Sequence, residues 1–282
     1  MTKKTKVAFQ GEPGAYSHLA SLEIFPSAEI KACSTFEQVF EIARKDSDFK
    51  VVIPIENSLA GRVADIHYLI PKYKLQIHAE HFQAVKHNLL GIKGSKIEDV
   101  KSVRSHSQAI GQCQKIISKN KFKCIVSADT AGSAKFVSEK KDKSESAIAS
   151  ELAAKIYNLE IIKPNIEDES GNVTRFLIMG KNWVKHPVLK DKKYITSCIF
   201  KLKSIPAALY KALGGFATNG VNLCKLESFA VKNTFDQVNF YIDIEGHIEE
   251  PNLQKALEEL GFHTERLDIL GVYEAHKFRF EN

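Results

Sequence analysis

The first 180 residues alternate between short apolar segments and longer segments with apolar residues at helical spacing. The segments KVAFQG (6–11) and VVIPIENS (51–58) have the composition of β-strands, whereas STFEQVFEIARK (34–45) carries apolar residues on one face of a helix. Strands that alternate with helices form sheets whose faces are covered by those helices. The alternation therefore predicts an α/β fold for the N-terminal two thirds of the chain.

Helix starts in this region are marked by residues that cap helices. Ser34 and Glu37 have the spacing of a capping box, and Asp129 is placed as the N-cap of a later helix. Further helices are expected from Ala15 and from near Ser107. These signals locate the junctions between strands and helices.

Polar residues collect where predicted strands end and helices begin, at residues 10–17, 56–58, 105–108 and 129–130. In open α/β sheets, ligands bind at the carboxyl ends of the strands, where free helix N–H groups attract anions. The sequence has no Walker or GxGxxG pattern, so a nucleotide site is not expected.

The chain of 282 residues has 40 basic and 34 acidic residues, which gives a formal net charge of +6. Only six of the basic residues are arginines, and the lysines are dispersed among acidic residues, as in EKKDKSES (139–146). A solvated lysine-rich surface explains this charge better than a nucleic-acid interface does. The mild positive field favours a small anionic substrate.

The five cysteines are scattered and show neither CxxC nor another metal-ligand spacing. We therefore expect free thiols in a reducing cytoplasm, with no metal and no cofactor. The N-terminus lacks the apolar core of a signal peptide, and no apolar run approaches the roughly 18 residues of a membrane span. These features predict a cytoplasmic protein without membrane association.

The pattern changes after KNWVKHPVLKDKKY (181–194), a polar stretch that has the composition of a linker. The predicted elements that follow are a strand over 194–203, a helix beginning near Pro206, strands over 222–231 and 235–244, a helix over 252–260 and a strand over 264–273. The βαββαβ order is typical of a small ferredoxin-like module.

The segment GNVTRFLIMG (171–180) is predicted to be a strand, because its apolar run over 176–179 is bounded by glycines. Thr174 and Arg175 open this run, where the strand enters a core. Arginine is rarely buried unless it is paired. The residues alone leave two interpretations, a surface strand end with its arginine in water or a functional pair.

Four stretches together resemble the prephenate dehydratase family, and a fifth resembles the ACT module that these enzymes carry. The four are VAFQGEPGAYSHLA (7–20), VIPIENSLAGRV (52–63), SHSQAIGQC (105–113) and NVTRFLIMG (172–180), and the fifth is LGGFATNGVNLCKLES (213–228). The resemblance extends from about Lys6 to Tyr273. One departure is Ser107, where the family usually has proline after Ser-His.

The resemblance implies a two-lobed catalytic domain similar to type II periplasmic binding proteins over residues 1–183, followed by an ACT regulatory domain over 194–275. Lobe 1 would comprise about 1–80 and 165–183, and lobe 2 about 81–164. No chorismate mutase domain is expected before the first strand. ACT modules usually pair, so a homodimer or homotetramer is expected.

Members of this family convert prephenate, a dicarboxylate, to phenylpyruvate, water and CO₂ in L-phenylalanine biosynthesis. The reaction makes an aromatic ring and needs no redox step, so positioning and one hydrogen-bond donor can supply much of the reduction in its barrier. By resemblance, the expected catalytic residues are Thr174, Asn57, Ser105, Gln112 and Glu56, and the expected substrate-binding residues are Arg175, Phe176, Ser58 and Ser17.

Thr174 is the expected donor to the departing hydroxide, through a hydrogen bond that strengthens as charge develops. Arg175 offers a planar fork for a carboxylate, and a salt bridge that braces the lobe is its alternative role. Glu56 could orient Asn57, pair with an arginine or act as an acid.

Gln112 lies seven residues after Ser105, two turns along a helix that begins near Ser107, and is expected to face the same side. His106 is expected to hydrogen-bond at the start of that helix instead of acting as a base.

Two other functions remain open from the sequence. Arogenate dehydratase carries out the same reaction on the amino acid, and the lobed fold also serves non-catalytic small-anion binding proteins and sensors. Intact Thr174, Arg175 and Asn57 argue against a non-catalytic protein.

In this family phenylalanine binds between paired ACT modules and inhibits the enzyme. The expected effector residues are Ala208, Leu209, Asn222, Leu223, Glu227 and Ser228. Ala207 adds a methyl group where the family motif usually has glycine, and Phe229 and Ala230 replace an arginine and a proline. We therefore expect weaker phenylalanine binding at this site, or a response to another ligand.

Overall fold

The computed structural model describes residues 4–63, 66–230 and 238–280. In chain order its strands are β1 (Lys6–Gln10), β2 (Glu29–Cys33), β3 (Phe49–Asn57), β4 (Gly61–Arg62), β5 (Gln76–Ala84), β6 (Asn88–Gly91), β7 (Ser102–Ser105), β8 (Lys123–Val126), β9 (Glu145–Ala149), β10 (Glu160–Lys163), β11 (Val173–Gly180), β12 (Tyr194–Leu202), β13 (Leu223–Ala230), β14 (Val238–Glu245) and β15 (Thr264–Glu274).

The helices are α1 (Tyr16–Ile24), α2 (Phe36–Lys45), α3 (Ile66–Tyr73), α4 (Ser107–Gly111), α5 (Gln114–Asn120), α6 (Thr130–Lys140), α7 (Glu151–Ile156), α8 (Ala208–Thr218) and α9 (Pro251–His263). Short 3₁₀ turns cover Ile97–Asp99 and Lys277–Arg279. Within the described ranges, no helix is both long and apolar enough to cross a membrane.

The first sheet has the strand order β2-β1-β3-β11-β5, and β4 pairs with β3. Strand β1 is parallel to β2 and β3, with Gln10 opposite Cys33. The carboxyl ends of these strands therefore meet at one edge of the sheet, as the polar clusters predicted.

The second sheet has the strand order β10-β6-β9-β7-β8. Strand β7 is parallel to β8 and β9, while β6 is antiparallel to β9 and β10. The chain passes from the first sheet to this one between Ala84 and Asn88, and it returns between Lys163 and Val173. These connections lie close to the crossings expected near residues 80 and 165, and the α/β prediction is confirmed.

The third sheet is antiparallel, with the order β13-β14-β12-β15, and the βαββαβ prediction is confirmed over its described residues. Its core packs Phe200 and Ile242 of the sheet against Phe216 of α8 and Leu253 of α9. Residue 231 of one predicted strand and residues 235–237 of the next lie outside the described residues.

The chain forms two compact units that do not follow the expected boundary at residue 183. Within the described ranges, the first unit comprises residues 4–42, 48–63 and 81–176, and the second comprises 43–47, 66–80, 177–230 and 238–280.

In the second unit the backbone packs closely, since a Cβ placed on Gly271 would lie 2.2 Å from the carbonyl oxygen of Ile77. Arg279 also donates two hydrogen bonds to the buried Glu80 carboxylate, at 2.7 and 2.8 Å. Helix α3 and the start of β5 therefore group with the C-terminal sheet.

The predicted capping interactions lie one residue further along the chain. Thr35 Oγ1 accepts from the Gln38 backbone N–H at 3.2 Å, and Gln38 Oε1 accepts from the Ser34 N–H at 3.2 Å. Thr35 therefore takes the N-cap role predicted for Ser34, and the returning bond of Gln38 goes to Ser34 and not to Thr35, so the two bonds share the motif's residues without closing a reciprocal box. The N-cap at Asp129 is confirmed, since its Oδ1 accepts from the Gly132 N–H at 2.6 Å.

Ala207 directly precedes α8 and has a φ of +57°, in the left-handed region. This conformation costs an L-residue roughly 1–2 kcal/mol, whereas glycine adopts it freely. The left-handed backbone thus explains why the motif usually has glycine at this position. The alanine of this chain adopts the same backbone at an energetic cost.

Candidate active site

A cavity of about 400 Å³ opens within the first unit, where the polar ends of strands from the two α/β sheets face each other. Asn57 and Thr174 line it from the first sheet, His87 lines it from the connection between β5 and β6, and Gln112 lines it from the end of α4. The structure therefore brings together three of the predicted catalytic residues, with one residue that the sequence did not indicate.

Asn57 ends β3, and its side-chain amide is oriented by the backbone of the turn that follows. Its Oδ1 accepts from the N–H groups of Leu59 at 3.0 Å and Ala60 at 2.8 Å. A backbone N–H can only donate, so this oxygen is fixed as the acceptor and Asn57 Nδ2 must be the donor.

Thr174 accepts one of the hydrogens of that amide. Asn57 Nδ2 donates to Thr174 Oγ1 at 3.0 Å, and Thr174 lines the cavity. Because the oxygen accepts from Asn57, the hydroxyl hydrogen of Thr174 is left to donate to a group in the cavity. Thr174 is therefore arranged as a hydrogen-bond donor, which agrees with the role expected from the resemblance.

Asn172 extends this order of donors and acceptors to Gln112 at the end of α4. Asn57 Nδ2 donates to Asn172 Oδ1 at 2.7 Å, and Asn172 Nδ2 donates to Gln112 Oε1 at 2.7 Å. His87 Nε2 lies 2.8 Å from the same Gln112 oxygen. Asn172 and His87 were missed because their partners are distant in sequence, although Asn172 belongs to the NVTRF segment.

Gln112 lines the cavity from the end of a short helix and not from within the longer helix that was predicted. Helix α4 ends at Gly111 and α5 begins at Gln114, so Gln112 occupies the C-cap of a five-residue helix. Asp168 caps the second helix through the N–H groups of Gln114 at 2.7 Å and Lys115 at 2.9 Å. The prediction of one continuous helix through Gln112 is wrong, since this cap starts a second helix.

Ser105 is not on the same side as Gln112, contrary to the expectation. It is fully buried, and its hydroxyl donates to the Ile148 carbonyl at 2.7 Å, so it joins two strands of the second sheet and lies outside the cavity lining. This placement argues against contact between Ser105 and a ligand.

Arg175 points away from the cavity into the core of its lobe. Its side chain is 2% exposed, and Nη1 donates to Glu56 Oε1 at 2.9 Å. Successive strand residues point to opposite faces, so Thr174 and Arg175 cannot both face the cavity. Of the two roles considered for Arg175, the structure therefore supports the salt bridge that braces the lobe and not the binding of a substrate carboxylate. It likewise supports pairing with an arginine as the role of Glu56.

Of the other predicted substrate-binding residues, two line the cavity and one does not. Ser17 and Phe176 line the cavity. Ser58 does not: its hydroxyl donates to the Gly171 carbonyl at 3.0 Å and accepts from the Val173 N–H at 2.9 Å. Ser58 thus holds the turn after β3 against the segment that leads into β11.

Arg62 and His106 are two further polar residues that line the cavity. Among the described residues that line the cavity, Arg62 is the only arginine or lysine, and it is exposed on β4. It lies within VIPIENSLAGRV, but the sequence did not show that a two-residue strand would direct it to the cavity. His106 Nδ1 accepts from the Gln108 N–H at 3.3 Å, which confirms its predicted role at the helix start.

Burial controls the protonation of the groups beside the cavity. Burial raises the pKa of the Cys113 thiol to about 12, with Asp168 and Glu167 adding to the shift, so this cysteine remains a thiol at neutral pH. Burial also raises the pKa of Tyr16. Among the described residues, no group of three or more His, Cys, Asp or Glu side chains is placed to hold a metal ion.

The expected effector residues lie on the third sheet and its first helix. Ala208 and Leu209 begin α8, Asn222 and Leu223 lie at the start of β13, and Glu227 and Ser228 lie within β13. Glu227 Oε2 is 3.1 Å from Nε2 of the buried His67, and Glu227 Oε1 accepts from Lys225 Nζ at 2.7 Å.

The substituted position Phe229 is also occupied internally. It is buried, and its ring lies 5.6 Å from the rings of both His67 and Tyr68 of α3. The second effector motif of this chain therefore contacts α3 of the same chain.

Comparison with known proteins places these features in a family. Residues 7–183 match the family model described as prephenate dehydratase. A bifunctional N-acyl-homoserine lactone acylase/prephenate dehydratase of Komagataeibacter europaeus is 43% identical over 97% of both chains. Arogenate dehydratase/prephenate dehydratase 1 of Arabidopsis thaliana is 38% identical and covers 96% of this chain, which spans 72% of that protein. The crystal structure of a prephenate dehydratase from Arthrobacter aurescens in complex with L-Phe superposes with a TM-score of 0.87 at 25% identity, over 96% of this chain and 90% of that one.

The two arginines near this site should differ in their effect on stability. Arg175→Met should lower the free energy of unfolding by about 2–3 kcal/mol, because it removes the buried guanidinium that hydrogen-bonds to Glu56 of the neighbouring strand. The matched Arg62→Met, at an exposed position, should change it by less than about 0.5 kcal/mol. Urea unfolding measures both, and equal losses would contradict the bracing role of Arg175.

Proposed function

The chain belongs to the prephenate dehydratase family, and from that premise we propose how its cleft carries out the reaction on prephenate. The enzyme forms phenylpyruvate for L-phenylalanine biosynthesis. The bond between the ring and its carboxylate breaks, and the electron pair enters the ring as CO₂ leaves. The bond to the ring hydroxyl breaks at the same time with its electron pair leaving on the oxygen, and the hydroxide takes a proton from solvent to leave as water. The observation that carries this proposal is the hydrogen bond from Asn57 to Thr174.

Thr174 is assigned to the leaving hydroxide. Its oxygen accepts from Asn57 Nδ2 at 3.0 Å, so its own hydrogen is presented to the ring hydroxyl. A threonine hydroxyl is a poor acid, and the role requires only a hydrogen bond that strengthens as negative charge develops on the departing oxygen. Such preorganised donors act mainly in the transition state.

Arg62 is assigned to a substrate carboxylate. It is the cation that lines the described cavity, and a guanidinium can donate two parallel hydrogen bonds to a carboxylate. Arg175 is paired with Glu56 in the lobe core, so the resemblance-based assignment of the carboxylate to Arg175 is replaced by Arg62.

Gln112 supports prephenate over arogenate as the preferred substrate. Its Oε1 accepts from Asn172 and lies 2.8 Å from His87 Nε2, so the side that remains is the Nε2 amide with its hydrogens. An N–H donor suits the keto oxygen of a pyruvyl side chain, whereas an ammonium group needs an acceptor. Relatives of this chain are named for both reactions, so the preference for prephenate is inferred from this amide and not from their names.

The C-terminal module is assigned as an ACT domain that pairs with a second copy and responds to phenylalanine. Its βαββαβ order and the L-Phe complex of the Arthrobacter enzyme support this assignment. Ala207 and Phe229 are the reasons to expect weak binding, because one adds a methyl group on a left-handed backbone and the other is packed against α3. A homodimer or homotetramer follows from pairing of the modules.

Replacement of the Thr174 hydroxyl should reduce turnover specifically. Thr174→Ala should lower kcat by about two to three orders of magnitude with a small change in KM, because the lost donor acts mainly in the transition state. Thr174→Ser keeps the hydroxyl and should stay within about tenfold of wild type. Steady-state formation of phenylpyruvate measures both variants, and an alanine variant with more than a third of wild-type kcat would remove Thr174 from the mechanism.

The substrate assignment is tested with the two competing substrates. Purified protein should convert prephenate to phenylpyruvate with a kcat/KM at least about tenfold higher than for conversion of arogenate to phenylalanine. The reason is that the Gln112 N–H donor cannot accept a hydrogen bond from the ammonium group of arogenate. Both aromatic products are followed by chromatography. A preference for arogenate would contradict the assignment of Gln112, and no conversion of either substrate would overturn the proposed activity.

The regulatory proposal predicts weak phenylalanine binding that glycine at position 207 improves. Calorimetric titration should show that wild-type protein binds phenylalanine with a dissociation constant above tens of micromolar, so that the binding free energy is weaker than about −6 kcal/mol. Ala207→Gly should tighten it, because it removes both the methyl group and the left-handed strain. Ala217→Gly, on the exposed face of α8, is the matched control and should not tighten binding. Tight wild-type binding with full inhibition of turnover would show that the two substitutions do not weaken the site.

A further inference from the structure

His87 lies beside the cavity, between β5 and β6, and no role for it follows from the sequence motifs. It is 3% exposed. From the proposed function, on which this inference rests, we propose that His87 is a positioning residue for the dehydration. It holds the Gln112 carboxamide so that the amide hydrogens face the substrate.

The contacts around Gln112 Oε1 fix which way the carboxamide is turned. Asn172 Nδ2 donates to this oxygen at 2.7 Å, and His87 Nε2 approaches it at 2.8 Å. A carbonyl oxygen has two lone pairs, so the two donors fill its capacity. Rotation of the carboxamide by half a turn would place N–H groups against both donors. The Nε2 hydrogens of Gln112 are therefore held on the opposite side, toward the cavity.

The tautomer of His87 follows from the same contacts. Gln112 Oε1 can only accept, so His87 Nε2 carries the hydrogen and Nδ1 is the acceptor. Tyr16 Oη lies 3.3 Å from Nδ1, but its only hydrogen is donated to the Lys86 carbonyl at 2.5 Å, so Tyr16 gives Nδ1 no hydrogen bond and the tautomer is assigned from the Gln112 contact. Burial lowers the pKa of His87, against smaller opposing effects of the Gln112 hydrogen bond and Glu167, and this favours the neutral ring. The Gln112 contact places the single N–H of that ring on Nε2.

The surroundings of His87 also fix its position. Its backbone N–H donates to Glu167 Oε2 at 3.0 Å, and the ring of Tyr16 meets the imidazole nearly edge-on with centroids 6.0 Å apart. Both ring nitrogens have protein neighbours within 3.3 Å, Gln112 on one side and Tyr16 on the other. This arrangement suits a residue that orients another side chain and not one that exchanges a proton with substrate.

The test is a double-mutant cycle that uses matched substitutions at both positions. Methionine and glutamine are similar in size, so His87→Met and His87→Gln differ mainly in whether an N–H can reach Gln112 Oε1. His87→Met should lower kcat/KM for prephenate about 3- to 10-fold, the effect of losing one neutral hydrogen bond. His87→Gln should restore at least half of wild-type kcat/KM.

Gln112→Met removes the amide through which His87 acts. If His87 works only through Gln112, adding His87→Met to Gln112→Met should cause no further loss. Thermal unfolding and near-ultraviolet circular dichroism check the fold of each variant. His87→Gln and His87→Met are then compared in each background, wild type or Gln112→Met, in which both variants fold.

The outcomes separate this inference from the proposed function. Equal activity of His87→Gln and His87→Met, or an undiminished His87→Met effect in the Gln112→Met background, would overturn the positioning role while wild-type turnover of prephenate upholds the function. Wild-type protein without prephenate turnover would overturn both.

Discussion

Two backbone N–H groups, those of Leu59 and Ala60, set the direction of the hydrogen bonds in the cleft. They fix Asn57 Oδ1 as an acceptor, and every later assignment depends on this one. Asn57 Nδ2 is then the donor to Asn172 at 2.7 Å and Thr174 at 3.0 Å, with the Val173 carbonyl farther away at 3.3 Å, and Asn172 donates to Gln112. The turn after β3 therefore determines that the cleft offers hydrogen-bond donors, which suits a substrate with carboxylates, a keto oxygen and a departing hydroxide.

The surroundings hold this network without taking part in it. Arg175 and Glu56 join neighbouring strands beneath the cleft, and their pairing leaves Arg62 as the cation that lines the described cavity. Arg175 is buried while Glu56 is 34% exposed, and a pair of this kind positions strands more than it adds net stability. The chemistry and the support thus occupy opposite faces of β11, with Thr174 on one and Arg175 on the other.

The sequence predicted features that depend on local patterns and missed those that depend on distant partners. Strand and helix alternation gave the α/β fold, and the motif resemblance indicated Thr174, Asn57 and Gln112. The sequence left two roles open for Arg175, a salt bridge and a substrate contact. One sequence does not show which face of β11 points to the cleft, so it could not decide between them. The roles of Asn172 and His87 arise from hydrogen bonds to residues 115 and 25 positions away, which no spacing rule predicts.

The central claim is that Thr174 accepts from Asn57 and donates toward the cleft. Neutron diffraction from deuterium-exchanged crystals locates the hydrogens of this network directly. The account predicts deuterium on Asn57 Nδ2 directed at Thr174 Oγ1, and the Thr174 deuteron directed into the cavity. A Thr174 deuteron directed at Asn57 would contradict it.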